Sequence, residues 1–300
     1  MTGKPSFKFS ARFVMAALIL IGVEHPITAA AREDRSGGKL PLTNGISTID
    51  GSAGGSLASW ALIAGNETED GNGGSAQLSR VALPDFDLTI VGAAIGLRNR
   101  VEISYAHQIF NTRQSGAALG LGDDFTFGLD VFGLKVRLLG DAVWDQDKVL
   151  PQVSVGVQHK RANRGHLIQA LGGRSASGTD FYVSATKFVL PLSVLVSGTV
   201  RWTNANQFGL FGFGGDRQSN RSLQFEGSTA LLLGPRLALG GEYRSKPNNL
   251  SFAREDDSFD LFAALAIGHN LTATAAYVDL GDIATFRRQR GLFLSFQGSF

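Results

Sequence analysis

The chain has 300 residues, of which 18% are charged, and it contains 38 glycines, 21 phenylalanines and no cysteine. This length allows one large domain or two small ones, and the apolar and aromatic content excludes an intrinsically disordered chain. The absence of cysteine excludes disulfides, thiolate chemistry and cysteine-ligated metals.

The first 31 residues have the pattern of an export signal. Lys4, Lys8 and Arg12 precede an apolar run over 13–23, and small residues follow at 28–31. This order predicts a cleaved secretory signal peptide over residues 1–31, since 11 apolar residues are too few to span a bilayer. Its removal also takes away Glu24, so 28 basic residues less three and 26 acidic residues less one leave 25 of each. The neutral remainder gives no support for a nucleic-acid partner.

Beyond residue 31 the recurring pattern is period-two alternation of apolar and polar residues, which predicts β-strands. The clearest segments lie at 100–109, 152–160, 192–202, 223–233, 237–246, 257–267, 270–279 and 290–300. Short turns at 97–99, 189–191, 234–235 and 268–270 alternate with long polar or glycine-rich connections at 111–124, 162–178, 204–221, 247–256 and 280–290. Short turns on one side and long loops on the other are typical of an outer-membrane β-barrel.

The number of strands follows from this pattern and from parity. Thirteen candidate strands start from Leu57, whereas single-chain bacterial barrels normally have an even number. Either residues 40–50 supply a fourteenth strand, or one early segment is not a strand. We predict an all-β, antiparallel transmembrane barrel of 14 strands, with 12 as the alternative, forming a single domain over 32–300.

The chain ends on an aromatic residue inside an alternating segment, 290–300. In a closed barrel the last strand pairs with the first, so it can end at the membrane boundary. The segment also resembles the C-terminal insertion signal of Gram-negative outer-membrane proteins. We assign that signal to Leu292, Leu294, Phe296 and Phe300. The resemblance implies a location in the bacterial outer membrane, with outer-membrane lipid and, during biogenesis, the barrel-assembly machinery as partners.

Four stretches together resemble an uncharacterised proteobacterial outer-membrane family, the domain of unknown function 3034. They lie at 37–55 (GGKLPLTNGISTIDGSAGG), 116–127 (GAALGLGDDFTF), 242–257 (EYRSKPNNLSFAREDD) and 276–300 (AYVDLGDIATFRRQRGLFLSFQGSF). The resemblance extends over nearly all of 37–300 and implies an outer-membrane location. It implies no activity and no binding residues.

Motifs of catalysis and metal binding are not found in the sequence. Its histidines lie in neither a GxSxG nor an HExxH context. The acidic clusters at 122–124 and 255–257 offer oxygen ligands for Ca²⁺, but neither has the spacing of an EF-hand. We therefore expect no enzymatic activity, no metal and no cofactor.

Charged residues recur on the strand face opposite the predicted lipid side. Eight are basic and three acidic, and they are Arg100, Glu102, Lys135, Arg137, Lys160, Arg201, Glu226, Arg236, Glu242, Arg244 and Lys246. Two interpretations are open: the charges line an aqueous channel with a mild preference for anions, or they pair across the lumen and close it. A further hypothesis is that the glycine-rich segment 44–56 folds inward and narrows the lumen.

The function that these patterns favour is a passive channel for small solutes with a weakly basic lumen. The alternative is a structural or adhesive barrel that transports nothing, and a weaker alternative is a lipid-modifying enzyme with its site at the barrel rim. The sequence leaves the solute and the oligomeric state open.

Overall fold

The computed structural model describes residues 39, 41–66, 69–143, 145 and 149–300, so the predicted signal peptide lies outside the described residues. Within this part, two short strands precede twelve long ones. The short strands are β1 (Ile46–Ser47) and β2 (Ala53–Gly54). The long strands are β3 (Asn72–Ala82), β4 (Asp87–Leu97), β5 (Val101–Asn111), β6 (Thr126–Leu139), β7 (Gln152–Ala162), β8 (Ser177–Val189), β9 (Val194–Thr203), β10 (Ser222–Leu232), β11 (Leu237–Arg244), β12 (Ser258–Ala266), β13 (Leu271–Asp279) and β14 (Arg290–Ser299).

The twelve long strands close into one antiparallel barrel in which each strand pairs with its neighbours in sequence. The last strand completes the wall by pairing with the first, with Leu292 opposite Ala82 and Ser299 opposite Ser75. Closure leaves no free strand edge, so every wall strand finds backbone partners without water. The register shifts once, between Arg137 and Leu139 of β6.

The prediction of 14 wall strands is therefore wrong, and the alternative of 12 is confirmed. The wall begins at Asn72, not near Leu57, and the segment at 40–50 adds no wall strand. Residues 57–64 are buried at every position, whereas wall strands alternate between buried and exposed. The two predicted early strands instead belong to a segment inside the barrel.

The two ends of the barrel differ in their connections, as predicted. At one end, which we call the short-turn end, adjacent strands are joined by three or four residues at 98–100, 190–193, 233–236 and 267–270. One longer connection, 140–151, also lies there. At the opposite, long-loop end, five of the six connections have at least ten residues, namely 112–125, 163–176, 204–221, 245–257 and 280–289. Helices α1 (Ser115–Ala118) and α2 (Gly165–Ala170) and the 3₁₀ turn Asn206–Gly209 lie in these loops, whereas the 3₁₀ turn Leu190–Leu192 is at the short-turn end.

The outer face of the wall is apolar. Exposed leucine, isoleucine, valine or aromatic side chains occur on eleven of the twelve wall strands, and the outward valines of β7 are half-buried. Six neighbouring strands each place an exposed aromatic residue near the long-loop end: Phe181, Trp202, Phe225, Tyr243, Phe259 and Tyr277. An apolar band bordered by an aromatic girdle is the outer surface expected of a barrel in a bilayer. No helix of the described residues is long and apolar enough to cross a membrane.

Leu292, Leu294, Phe296 and Phe300 all lie on the outer face and are 47–67% exposed. Phe300 also ties the chain end to the barrel, since its carbonyl accepts hydrogen bonds from the N–H groups of Asn66 and Gly74. The outward position agrees with the predicted insertion signal, whose role in biogenesis stays a prediction.

Candidate functional site

The lumen is occupied by residues 41–66, which we call the plug. The plug enters at the short-turn end, turns over 48–52 deep in the barrel, and returns to the same end. At its base Lys39 Nζ donates to the carbonyls of Ile63 (2.6 Å) and Gly65 (3.2 Å), and Asn44 bonds to Asn66 (2.7 Å). Both ends of the plug therefore lie at one mouth of the barrel.

The plug's internal backbone hydrogen bonds lie mostly in β1, β2 and the turns over 48–58. On the returning segment 57–64, wall side chains take the place of a neighbouring strand. The N–H groups of Leu57 and Ser59 donate to the carboxylates of Glu242 (2.7 Å) and Glu226 (2.8 Å). The N–H of Ala61 donates to Thr186 Oγ1 (2.8 Å). Because buried backbone groups need partners, these inward polar side chains are what allows an extended segment to stand in the lumen.

Near the short-turn end, Glu102 and Lys135 hold both arms of the plug. The Glu102 carboxylate accepts from the N–H groups of Ala53 (3.2 Å) and Ala64 (2.9 Å). Lys135 Nζ donates to the carbonyls of Ala53 (3.0 Å) and Leu62 (2.7 Å). The two side chains pair with each other at 3.1 Å and are each 1% exposed. We call this pair the clasp.

The tip of the plug carries Asp50, the sole ionisable residue of 41–66. Its carboxylate lies between Lys160 Nζ (3.0 Å) on β7 and Arg244 Nη2 (2.8 Å) on β11. All three side chains are at most 3% exposed. The buried charges are thus paired, as buried charges must be.

The tip fits its surroundings tightly at Gly51. This residue has φ = +87°, and a Cβ there would lie 2.9 Å from the Cβ of Ala106 in the wall. Glycine alone adopts this backbone conformation without strain and leaves room for the wall.

On its other side the tip is covered by the loop 204–221, which folds into the barrel from the long-loop end. Lys160 Nζ donates to the carbonyl of Phe208 (3.1 Å), and the Phe208 ring lies 4.4 Å from the Arg244 guanidinium. The backbone takes φ = +43° at Gln207 and +61° at Phe208, which are uncommon values for residues other than glycine. We call 204–221 the inner loop.

Glu255 holds the inner loop in place. Both of its carboxylate oxygens accept from the N–H of Gln207 at 2.8 Å, and Lys246 Nζ donates to Gln207 Oε1 (3.0 Å). Burial raises the pKa of Glu255 to about 7, although nearby Lys246 opposes this shift. Burial likewise lowers the pKa of Lys246. This carboxyl therefore titrates near neutral pH.

Apolar packing completes the closure. Ile49 and Leu57 of the plug meet Phe208 and the wall residues Val81 and Phe293 around a cavity of about 10 Å³. A space of this size is at the lower limit for one water molecule. The described part of the lumen is therefore closed at this depth by the plug and the inner loop.

The structure shows where each residue of the predicted lumen set lies. Eight of the predicted side chains are buried on the inner face of wall strands: Glu102, Lys135, Arg137, Lys160, Arg201, Glu226, Glu242 and Arg244. Lys246 is buried too, but it lies past the end of β11, in 245–257, where it contacts the inner loop. Arg100 and Arg236 are exposed in the turns 98–100 and 233–236, so their placement in the lumen was wrong. Alternation indicates the face of a residue but does not indicate where its strand ends. Segment 44–56 lies inside the barrel and is buried throughout.

Sequence reasoning found Glu102 and Glu226 but missed three further buried acidic residues, Asp50, Asp180 and Asp260. Asp180 lies 3.2 Å from Lys160 and 3.7 Å from Arg201, and Asp50 comes from the plug rather than from the wall. Asp260 contacts Ser56 of the plug. The alternation of β8 and β12 places Asp180 and Asp260 on the inner face and was the signal available.

The acidic loop segment 255–257 does not converge on one point. Glu255 faces the inner loop, Asp256 pairs with Arg254, and Asp257 contacts Tyr243. No group of three or more potential metal ligands occurs among the described residues.

Residues 43–297 match a protein family described as "Protein of unknown function (DUF3034)". The chain belongs to this family. No curated protein sequence matches the DUF3034 chain significantly.

Among solved structures, the DUF3034 barrel is similar to the KdgM porin, with a TM-score of 0.50, 8% identity, and coverage of 75% of this chain and 99% of the other. The NanC porin has a TM-score of 0.49 and 11% identity, and the match covers 76% of this chain and 98% of the other. An outer-membrane channel from Pseudomonas putida F1 has a TM-score of 0.45 and 15% identity, and the match covers 76% of this chain and 95% of the other. At 8% identity the likeness to the KdgM porin shows a similar barrel fold and nothing about a shared solute.

Proposed function

We propose that this protein is an outer-membrane channel that the plug closes and that opens when the plug withdraws toward the short-turn end, which we take to be periplasmic. The observation that carries this proposal is topological. Both ends of the plug lie at one mouth, so the segment can leave the lumen without threading through the barrel and without breaking a wall strand.

The chemistry of the wall supports the same proposal. Many of the buried inward side chains are polar and uncharged, among them Gln77, Ser79, Ser104, Gln108, Ser154, Gln158, Ser184, Thr186, Ser197, Thr199, Ser228, Thr274, Ser295 and Gln297. Seven of them, including Gln77, Gln108 and Thr199, bond to the plug's backbone in the closed state and can bond to water once the plug leaves. The emptied lumen would thus resemble the polar interior of a channel barrel.

The second candidate is a barrel that transports nothing and acts through its outer loops. The filled lumen and its paired charges favour this candidate, because a permanently seated plug would serve only to stabilise the wall. The channel and the structural barrel differ in whether the plug moves. In both cases we expect no enzymatic activity.

A disulfide between plug and wall tests whether the plug moves, and we call this pair of cysteines the cysteine lock. Because native cysteine is absent, a disulfide can form only between the introduced residues. Ser56 of the plug and Asp260 of β12 are in contact, so Ser56→Cys and Asp260→Cys form a plug-to-wall pair. Asp50→Ala weakens the closed state by leaving Lys160 and Arg244 without their plug partner. Single-channel currents in planar bilayers are compared for the wild type, Asp50→Ala, and Asp50→Ala with both cysteines.

We expect Asp50→Ala to conduct more often than the wild type. The variant that also carries both cysteines should be silent when oxidised and should conduct after reduction, whereas each single cysteine should respond to neither treatment. Silence of Asp50→Ala with folded-barrel gel mobility, or equal currents in the oxidised and reduced lock, would reject the moving plug and favour the structural barrel.

A further inference from the structure

The carboxylate of Asp50 occupies a site that the wall and the inner loop build around it. Each oxygen has its own cation, with Oδ1 facing Lys160 Nζ at 3.0 Å and Oδ2 facing Arg244 Nη2 at 2.8 Å. Lys160 is 0% exposed and Arg244 2%. The carbonyl of Phe208 accepts a bond from Lys160, and the Phe208 ring lies over Arg244.

The cations have partners in the wall as well as in the plug, where Arg244 Nη1 donates to the carbonyl of Leu57 (2.9 Å) and Arg201 Nη2 to Ser59 Oγ (3.0 Å). Asp180 contacts Lys160 at 3.2 Å and Arg201 at 3.7 Å. Glu226 contacts Arg201 and lies 3.4 Å from Arg244. The Tyr182 ring lies 4.7 Å from the Arg201 guanidinium. Because Asp180 lies on β8 and Glu226 on β10, each cation keeps a wall carboxylate when the plug withdraws.

The charges of this network balance only when the plug is in place. Its cations are Lys160, Arg201 and Arg244, and its wall carboxylates are Asp180 and Glu226. Three positive charges face two negative ones, and Asp50 supplies the third. Withdrawal of the plug therefore leaves one uncompensated positive charge at a place shaped for a carboxylate.

We propose that the site between Lys160 and Arg244 binds the carboxylate group of a small anionic solute in the open lumen, and that Asp50 is its internal stand-in. This inference rests on the proposed channel function. A single missing negative charge suits a carboxylate better than a phosphate dianion, and a fork of two cations suits its two oxygens. The solute and Asp50 compete for one site, so the solute shifts the population toward the open lumen.

Chemical rescue in the full-length chain tests the site. Asp50→Ala removes the stand-in, and its thermal unfolding is followed with added acetate or with its neutral isostere acetamide, at constant ionic strength. We expect acetate to recover more than half of the loss in Tm and acetamide to recover none. Asp50→Ala with Lys160→Gln should lose the rescue, and the wild type should show no acetate-specific gain.

Equal effects of acetate and acetamide, or a rescue that survives Lys160→Gln, would overturn the inference. Should Asp50→Ala not fold, Asp50→Ser provides the same vacated site with a smaller loss of polarity. The readout is Tm and not current, so a failed rescue leaves the channel proposal standing. Conversely, a cysteine lock that does not alter the current rejects the channel but not a carboxylate site.

Discussion

Replacement of Lys135 by methionine should release the plug, because Lys135 is the centre of the clasp. Its ammonium donates to the carbonyls of Ala53 and Leu62 and to the carboxylate of Glu102, at 2.7–3.1 Å. Methionine keeps the length of the side chain and removes the charge and all three donors. The carboxylate of Glu102 then stays buried with only the N–H groups of Ala53 and Ala64 as partners.

The size of the expected increase in the open fraction follows from how much more Lys135→Met destabilises the closed state than the open state. Leaving one member of a buried ion pair without its partner costs roughly 3–5 kcal/mol, and Glu102 keeps two backbone donors, so we take about 3 kcal/mol. In the open state water reaches Glu102 and the cost disappears. Because 1.4 kcal/mol corresponds to a factor of ten, the open fraction should rise on the order of 100-fold.

The assay is the rate at which a buried thiol becomes accessible. Ser52→Cys places a thiol at the tip of the plug, where the native side chain is 1% exposed. A maleimide reacts with it only when the plug withdraws, so the reaction rate is proportional to the open fraction. Lys135→Met should raise this rate roughly 100-fold. The matched control is Lys187→Met, since Lys187 also donates to a backbone carbonyl but lies at the short-turn rim outside the lumen.

The double variant Glu102→Gln with Lys135→Met separates pair breaking from loss of contact. It leaves no unpaired buried charge, so it should react more slowly than Lys135→Met alone. A rate for Lys135→Met within threefold of the control, or a double variant as fast as the single one, would contradict the assignment of the clasp.

Three further predictions use the same thiol assay or thermal unfolding. Gly51→Ala strains a backbone at φ = +87° and brings a Cβ against Ala106, so labelling should rise about tenfold for a cost of about 1–2 kcal/mol, with unchanged folded-barrel gel mobility as its control. Trp60→Phe removes the 2.8 Å bond from Nε1 to Ser228 Oγ and should raise labelling about fivefold, since one hydrogen bond contributes about 1 kcal/mol; no change would mean that this bond does not hold the plug. The raised pKa of Glu255 means that ionisation is unfavourable in the fold, so Tm of the wild type should fall as pH rises from 4.5 through about 7. Glu255→Gln should reduce this fall of Tm with pH. An equally steep fall in the variant would contradict the assignment of the pH dependence to Glu255.

The wall could be predicted from the sequence because its physics is local. Alternation along each strand reports a lipid face and a lumen face, and the lengths of the connections separate the two ends. The aromatic end of the chain indicated closure of β14 on β3. The two misplaced residues, Arg100 and Arg236, lie one residue before a strand, where alternation continues but the wall has ended.

The plug could not be predicted in the same way because its environment is non-local. Residues 57–64 (LASWALIA) contain enough apolar residues to resemble a strand, but in the lumen they are surrounded on every side. Their backbone bonds to side chains that come from distant strands, such as Glu226 and Glu242. Alternation identifies which charged side chains point inward. Which groups those side chains contact depends on the path of the chain in three dimensions. Two clues were present: segment 41–66 carries a single charge, and its glycines permit tight turns.

The balance of forces on the plug also explains why a filled lumen is compatible with a channel. An interior of twelve strands is wider than that of eight-stranded barrels, which wall side chains can fill, so another segment must occupy it or water will. The plug's hydrogen bonds exchange for bonds to water on withdrawal, and each then contributes only about 1 kcal/mol net. Apolar contacts of Ile49, Leu57 and Trp60 favour closure, while the freed segment regains conformational entropy. In the proposed channel the closed state thus rests on a modest difference between large opposing terms, so the loss of one buried charge at the clasp or the tip should shift the population toward the open lumen.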